Sequence, residues 1–78
     1  MLKLTGKIKI TGPYMGSTKF DFWKNLQPDD ILEISLKFKS VGNYINTFWV
    51  VNQRDGSSFS DTQNSLINYL KKTKHEEV

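Results

Sequence analysis

Apolar and polar residues alternate with a period of two through much of this chain, a pattern that commits it to half-buried β-strands. From Leu2 to Ile10, Leu2, Leu4, Ile8 and Ile10 share one face, and Lys3, Thr5, Lys7 and Lys9 share the other. Leu32, Ile34, Leu36 and Phe38 alternate in the same way with Glu33, Ser35, Lys37 and Lys39. Between these stretches, Gly12-Pro13 is expected to end the first strand, because proline brings no donor to a ladder. Phe20 and Phe22 then share one face of a short second strand, with Lys19, Asp21 and Trp23 on the other. Leu26–Asp30, with Pro28 near its centre, reads as a turn.

Turn chemistry predicts the register of the rest. A two-residue loop at Gly42-Asn43 pairs Val41 with Tyr44, Lys39 with Asn46, Phe38 with Thr47, Lys37 with Phe48, Leu36 with Trp49 and Ile34 with Val51. Leu36 and Trp49 are then expected to meet in the core. A second such loop at Asp55-Gly56 pairs Arg54 with Ser57 and Asn52 with Phe59, which puts Phe59 on the face of Tyr44, Phe48 and Val50. After Phe59 the period lengthens. Ser60 and Gln63 have the spacing of a capping box, and Leu66, Ile67, Tyr69 and Leu70 fall on one helical face. Lys71, Lys72 and Lys74 favour a helix C-terminus, where the dipole is negative.

Seventy-eight residues without a cysteine leave room for one core and no disulfide. The expected fold is mainly β: a small antiparallel meander or open β-barrel of about five strands with one C-terminal α-helix. A single domain over residues 1–72 and a frayed tail over 73–78 complete the expectation. The longest run of large apolar residues, Phe48-Trp49-Val50-Val51, is far shorter than the roughly 20 residues of a membrane span. The opening residues lack the apolar core of a secretory signal, so a cytoplasmic protein without a membrane partner is expected.

Catalysis finds little support in the residue types. The lone histidine, His75, falls in the expected tail, and no cysteine exists to act as a nucleophile. Asp29-Asp30 is explained by the turn. Asp55–Asp61 lacks the acidic spacing of a calcium loop, and Gly12–Gly16 lacks that of a phosphate loop. The reading is of a non-enzyme that uses no cofactor or metal.

Two binding readings remain. Net charge is +3, with five lysines against one aspartate in residues 1–24. The first reading is a protein-binding module for a larger partner. Tyr14 and Met15, apolar residues at a loop tip between Gly12 and Gly16, are its contact points, since loop tips carry function and these types are enriched at interfaces. Lys3, Lys7 and Lys9 join them as a cationic stripe. The competing view of Tyr14 is a plug that folds back over the barrel mouth. The second reading is non-specific single-stranded nucleic-acid binding, with Tyr44, Phe48 and Phe59 stacking on bases and Lys37 and Lys39 meeting phosphates. That same face is the nearest apolar surface for the helix to cover, and helix cover is preferred because an amphipathic helix must bury its stripe. Ten lysines to one arginine disfavour base-specific readout. No family is recognised by motif. The composition resembles that of small bacteriophage accessory proteins, which implies a regulator or inhibitor of a larger host enzyme.

Overall fold

In the computed structural model, which describes residues 5–39 and 46–78, the elements in chain order are β1 (Gly6–Tyr14), α1 (Asp21–Lys24), β2 (Ile31–Lys39), β3 (Asn46–Asn52), β4 (Ser58–Thr62), α2 (Gln63–Lys71) and β5 (Thr73–Glu77). The fold is mainly β. Strands β1 to β4 form the meander, and the open antiparallel sheet has the order β4-β3-β2-β1-β5. Helix α2 leads the chain from the β4 edge to the β5 edge across one face of the sheet. Ile8, Ile10, Leu32, Ile34, Phe48 and Val50 from that face pack with Trp23, Leu26, Leu66 and Leu70 as the core. The expected covering of the Phe48 and Val50 face by the helix is what the molecule does.

Three local expectations give way. β1 runs through Gly12-Pro13 to Tyr14, with an irregularity in its pairing to β5 between Ile10 and Tyr14 that accommodates the proline. Residues Asp21–Lys24 are helical rather than extended. Trp23 and Lys24 both donate to the Phe20 carbonyl, and Asp21 and Lys24 sit at the helix ends that favour their charges. The helical turn sends Trp23 fully inside, where a strand would have placed it opposite Phe22. The tail is no tail: Thr73–Glu77 pairs with β1, Ile10 opposite His75 and Lys9 opposite Glu76.

The register also moves. Lys39 opposite Asn46 and Phe38 opposite Thr47 agree with the hairpin reading, but a bulge between Leu36 and Phe38 slips the rest by one residue. Leu36 therefore pairs with Phe48, Ser35 with Trp49 and Ile34 with Val50. Trp49 turns to the uncovered face and keeps 37 % of its surface exposed, so the Leu36–Trp49 core pair does not exist. The Gly42-Asn43 loop itself, Tyr44, and Leu2 to Leu4 lie outside the described residues.

Between β3 and β4, the pair Asn52 and Ser57 closes a four-residue loop, Gln53 to Gly56. The Asn52 amide donates to the Ser57 carbonyl, and Gly56 donates back to Asn52 with a φ of 76° that suits glycine. Phe59 thus faces Val50 rather than Asn52. A slip of two keeps it on the expected face. Ser60 lies inside β4, the N-cap of α2 is Thr62, and no capping-box bond forms. Gln27–Asp30 makes the expected turn, with Asp30 donating to the Gln27 carbonyl and Asp29 at a φ of 74°.

Candidate functional site

The strand end at Tyr14 and the helix end at Lys72 are brought together by β5. Tyr14 is opposite Thr73, and the Met15 amide donates to the Lys72 carbonyl at 2.7 Å. Thr73 is buried and donates its hydroxyl to the Tyr69 carbonyl at 2.9 Å, which fixes the turn from helix to strand. Gly16 closes the corner. A Cβ there would lie 2.8 Å from Lys72 Cδ and 3.1 Å from the Tyr14 ring, so a larger residue would have to displace the lysine side chain.

Within this corner, Tyr14 and Met15 do different things. The Tyr14 ring is half-buried, with its centroid 6.1 Å from Trp23 and 5.8 Å from Tyr69, whose rings stack on each other at 4.7 Å. It lies at the end of β1 and belongs to the wall of the core; the sheet is open, so there is no barrel mouth for it to close. Met15 remains 69 % exposed although its backbone is anchored. A shallow groove bordered by Met15, Leu70, Thr73 and His75 carries Lys71, Lys72 and Lys74 on its rim. On the other side of Lys72 a second groove runs between Tyr14, Ser17, Ser65 and Asn68. The two grooves share one cation.

Charge pairing separates this corner from the sheet face that carries Lys7 and Lys9. Lys7 lies 3.9 Å from Glu33, Lys9 lies 3.3 Å from Asp29, and Arg54 bonds Asp30 at 2.7 Å. Among the described residues no carboxylate lies within 4.0 Å of Lys71, Lys72 or Lys74. His75 donates Nδ1–H to the Thr73 carbonyl at 2.7 Å, because a carbonyl only accepts. Its ring therefore keeps one nitrogen free beside the lysines.

The remaining sequence candidates are scattered. Lys7 and Lys9 point from the uncovered sheet face, and Lys9 is five residues from Tyr14, roughly 17 Å along a strand. They do not join the Met15 corner. Lys3 and Tyr44 lie outside the described residues. Phe48 is buried beneath α2, and Phe59 is half-buried among Phe20, Phe22, Trp23 and Tyr69. Neither of these two rings is open for a base to stack on. Lys39 pairs through its backbone with Asn46, while Lys37 Nζ sits 4.4 Å from the Trp49 ring centroid on the opposite face. The second helical groove and the lysine rim were hidden in the sequence, where Lys71, Lys72 and Lys74 read as complements to the helix dipole.

One buried polar cluster has a structural role. Asp30, almost fully buried, accepts from Arg54 Nε at 2.7 Å, the Gln27 amide at 2.9 Å and Asn52 Nδ2 at 3.0 Å. Arg54 also donates to the Asn25 carbonyl, so the cluster latches the segment before β2 to the β3–β4 loop. Burial pushes the Asp30 carboxyl up. The donated bonds and the guanidinium charge outweigh that and hold it below the usual carboxylate range. In the same loop the Asp55 carboxylate takes both the amide and the hydroxyl of Ser57, which lowers its pKa and accounts for its place in the turn.

Comparison with protein-family models, curated proteins and solved structures gives no match. The reading of the corner rests on its own chemistry: an apolar side chain held out from an anchored backbone, ringed by unpaired cations. No helix among the described residues is long and apolar enough to cross a membrane.

Proposed function

We propose that this chain is a non-enzymatic protein-binding module that seats Met15 in an apolar spot on a larger partner and meets an acidic rim with Lys71, Lys72 and Lys74. The observation that carries the reading is the contrast in charge pairing. Lys7 and Lys9 on the uncovered sheet face each have a carboxylate beside them, whereas Lys71, Lys72 and Lys74 around Met15 have none within 4.0 Å among the described residues. Cations around an apolar anchor steer an acidic surface and fix its approach. The anchored backbone lowers the ordering cost of binding, because the Met15 amide is already held by the Lys72 carbonyl.

The test begins with capture of a partner from a nuclease-treated lysate and continues with titration against that purified partner. Met15→Asp and the pair Lys71→Glu with Lys72→Glu should each weaken binding at least 10-fold, the effect expected when a central anchor or its charge complement is lost, about 1.4 kcal/mol or more. Lys7→Glu with Lys9→Glu serves as the control and should change binding less than twofold. Full affinity in the corner variants beside a loss in the control would place the interface on the sheet face instead.

One observation favours single-stranded nucleic acid as a second reading: Trp49, 37 % exposed beneath Lys37 on the uncovered sheet face. Stacking there would make binding depend on Trp49 rather than on Phe48 or Tyr44, and would make it salt-sensitive. Loss of oligonucleotide binding in Trp49→Ala with retention in Met15→Asp is its signature.

A further inference from the structure

The two edges of the sheet are protected very differently. β5 carries Lys74, Glu76 and Glu77, the kind of charge that discourages strand addition. β4 reads Ser58-Phe59-Ser60-Asp61-Thr62, with no proline, no lysine and no bulge in its pairing to β3. Its one charge is turned inward on itself, since Asp61 Oδ1 accepts the amide of Thr62 at 2.7 Å.

The hydrogen-bond phase of β4 follows from its loop. The Asn52 amide bonds to the Ser57 carbonyl, so Ser57, Phe59 and Asp61 are the residues whose backbone groups turn toward β3. Ser58, Ser60 and Thr62 turn theirs toward the free edge. The Thr62 amide is already taken by Asp61, which leaves the amides and carbonyls of Ser58 and Ser60 with no strand beside them among the described residues.

We infer that β4 pairs antiparallel with β4 of a second copy, about a two-fold axis through Phe59. In that register Ser58 of each copy lies opposite Ser60 of the other, and the outward groups of both exchange four main-chain hydrogen bonds. Phe59 meets its own mate as a pair without ladder bonds, the position where opposed side chains approach most closely. Phe20 lies edge-on to Phe59 at 5.1 Å and keeps 37 % of its surface exposed, so it extends the aromatic contact on the same side. Asp61 falls opposite Ser57, and no like charges meet. A strand that matches itself in hydrogen-bond phase, ring placement and charge fits an identical copy without further adjustment, which is the requirement of a two-fold interface.

The interface is small, so association is expected between micromolar and millimolar chain concentration. Sedimentation equilibrium over that range should show the 9.0 kDa chain approaching twice its mass. In parallel, amide resonances of Ser58, Phe59 and Ser60 should shift with concentration while those of β5 stay fixed. Ser60→Pro removes an outward donor that the chain's own sheet does not use, and should give a folded monomer. Ser58→Lys places a guard on the same edge and should do likewise if the proline variant fails to fold. A wild-type chain that stays monomeric at millimolar concentration overturns the inference, as does a dimer that survives in the folded edge variant.

Discussion

Trp23 and Trp49 show how much a residue's worth depends on its local backbone: a helical turn buries the first and a slip of register exposes the second. Trp23 is fully buried against Tyr14, Phe22, Phe59 and Tyr69. Trp23→Ala should cost about 3–5 kcal/mol through lost burial and the cavity left behind, which would largely unfold a domain of this size. Trp49 sits on the uncovered face with Lys37 over its ring, and Trp49→Ala should cost only about 1 kcal/mol or less. Urea midpoints for the two variants check this, and a Trp49 variant as damaged as the Trp23 one would restore the hairpin register read from Gly42-Asn43. Asp30 gives a second residue-scale expectation. Its folded pKa lies below its unfolded value, so the unfolded chain binds the proton first and stability rises with pH across that window. The contribution of Asp30 is complete above about pH 4, the ordinary aspartate value, and is lost as pH falls through its lower folded pKa. Asp30→Asn should be less stable at neutral pH and should lose less on acidification. Thermal midpoints from pH 7 to pH 3 measure both slopes, and parallel curves would show that Asp30 is not a linkage site.

At the scale of elements, the sequence was legible wherever a period ran unbroken. Leu32 and Ile34 gave β2, and Leu66 and Leu70 gave the buried stripe of α2. The failures have separate physical causes. The bulge beside Lys37 follows no turn signal, because one extra residue leaves the alternation on each side of it intact. The stretch Phe20–Lys24 alternates as a strand would, yet burying Trp23 outweighs that local pattern. β5 hid because Thr-Lys-His-Glu-Glu has no apolar alternation at all: an edge strand held by its backbone and guarded by charge resembles a solvated tail. The candidate site was half legible for the same reason. Tyr14 and Met15 stood out as apolar residues between glycines, but their lysine rim becomes a cluster only when β5 returns along β1 and sets Lys72 against Met15.

For the whole molecule, the consequence is that the last strand holds together both the core and the binding corner. β5 pairs residues 73–77 with residues 8–14, a contact that spans nearly the full chain and turns β1 from an edge into an interior strand. Without it, Ile8 and Ile10 would lose the strand on their open side, Thr73 would no longer brace the end of α2, and Met15 would lose nothing less than the setting of its anchor at Lys72. Each ladder bond contributes about 0.5–1.5 kcal/mol net, and a domain this small holds only about 3–5 kcal/mol in total. A chain ending at Lys72 should therefore be mostly unfolded at 25 °C, with a broad, weak thermal transition in place of a cooperative one. Circular dichroism melts of the full chain and of residues 1–72 decide the matter. If 73–78 were a frayed tail, the two midpoints would coincide within about 4 °C, since surface changes of about 0.5 kcal/mol move a small domain no further. A partner-binding assay on the same pair adds the second arm: a truncated chain that stayed folded and bound at full affinity would show that the corner is assembled without β5.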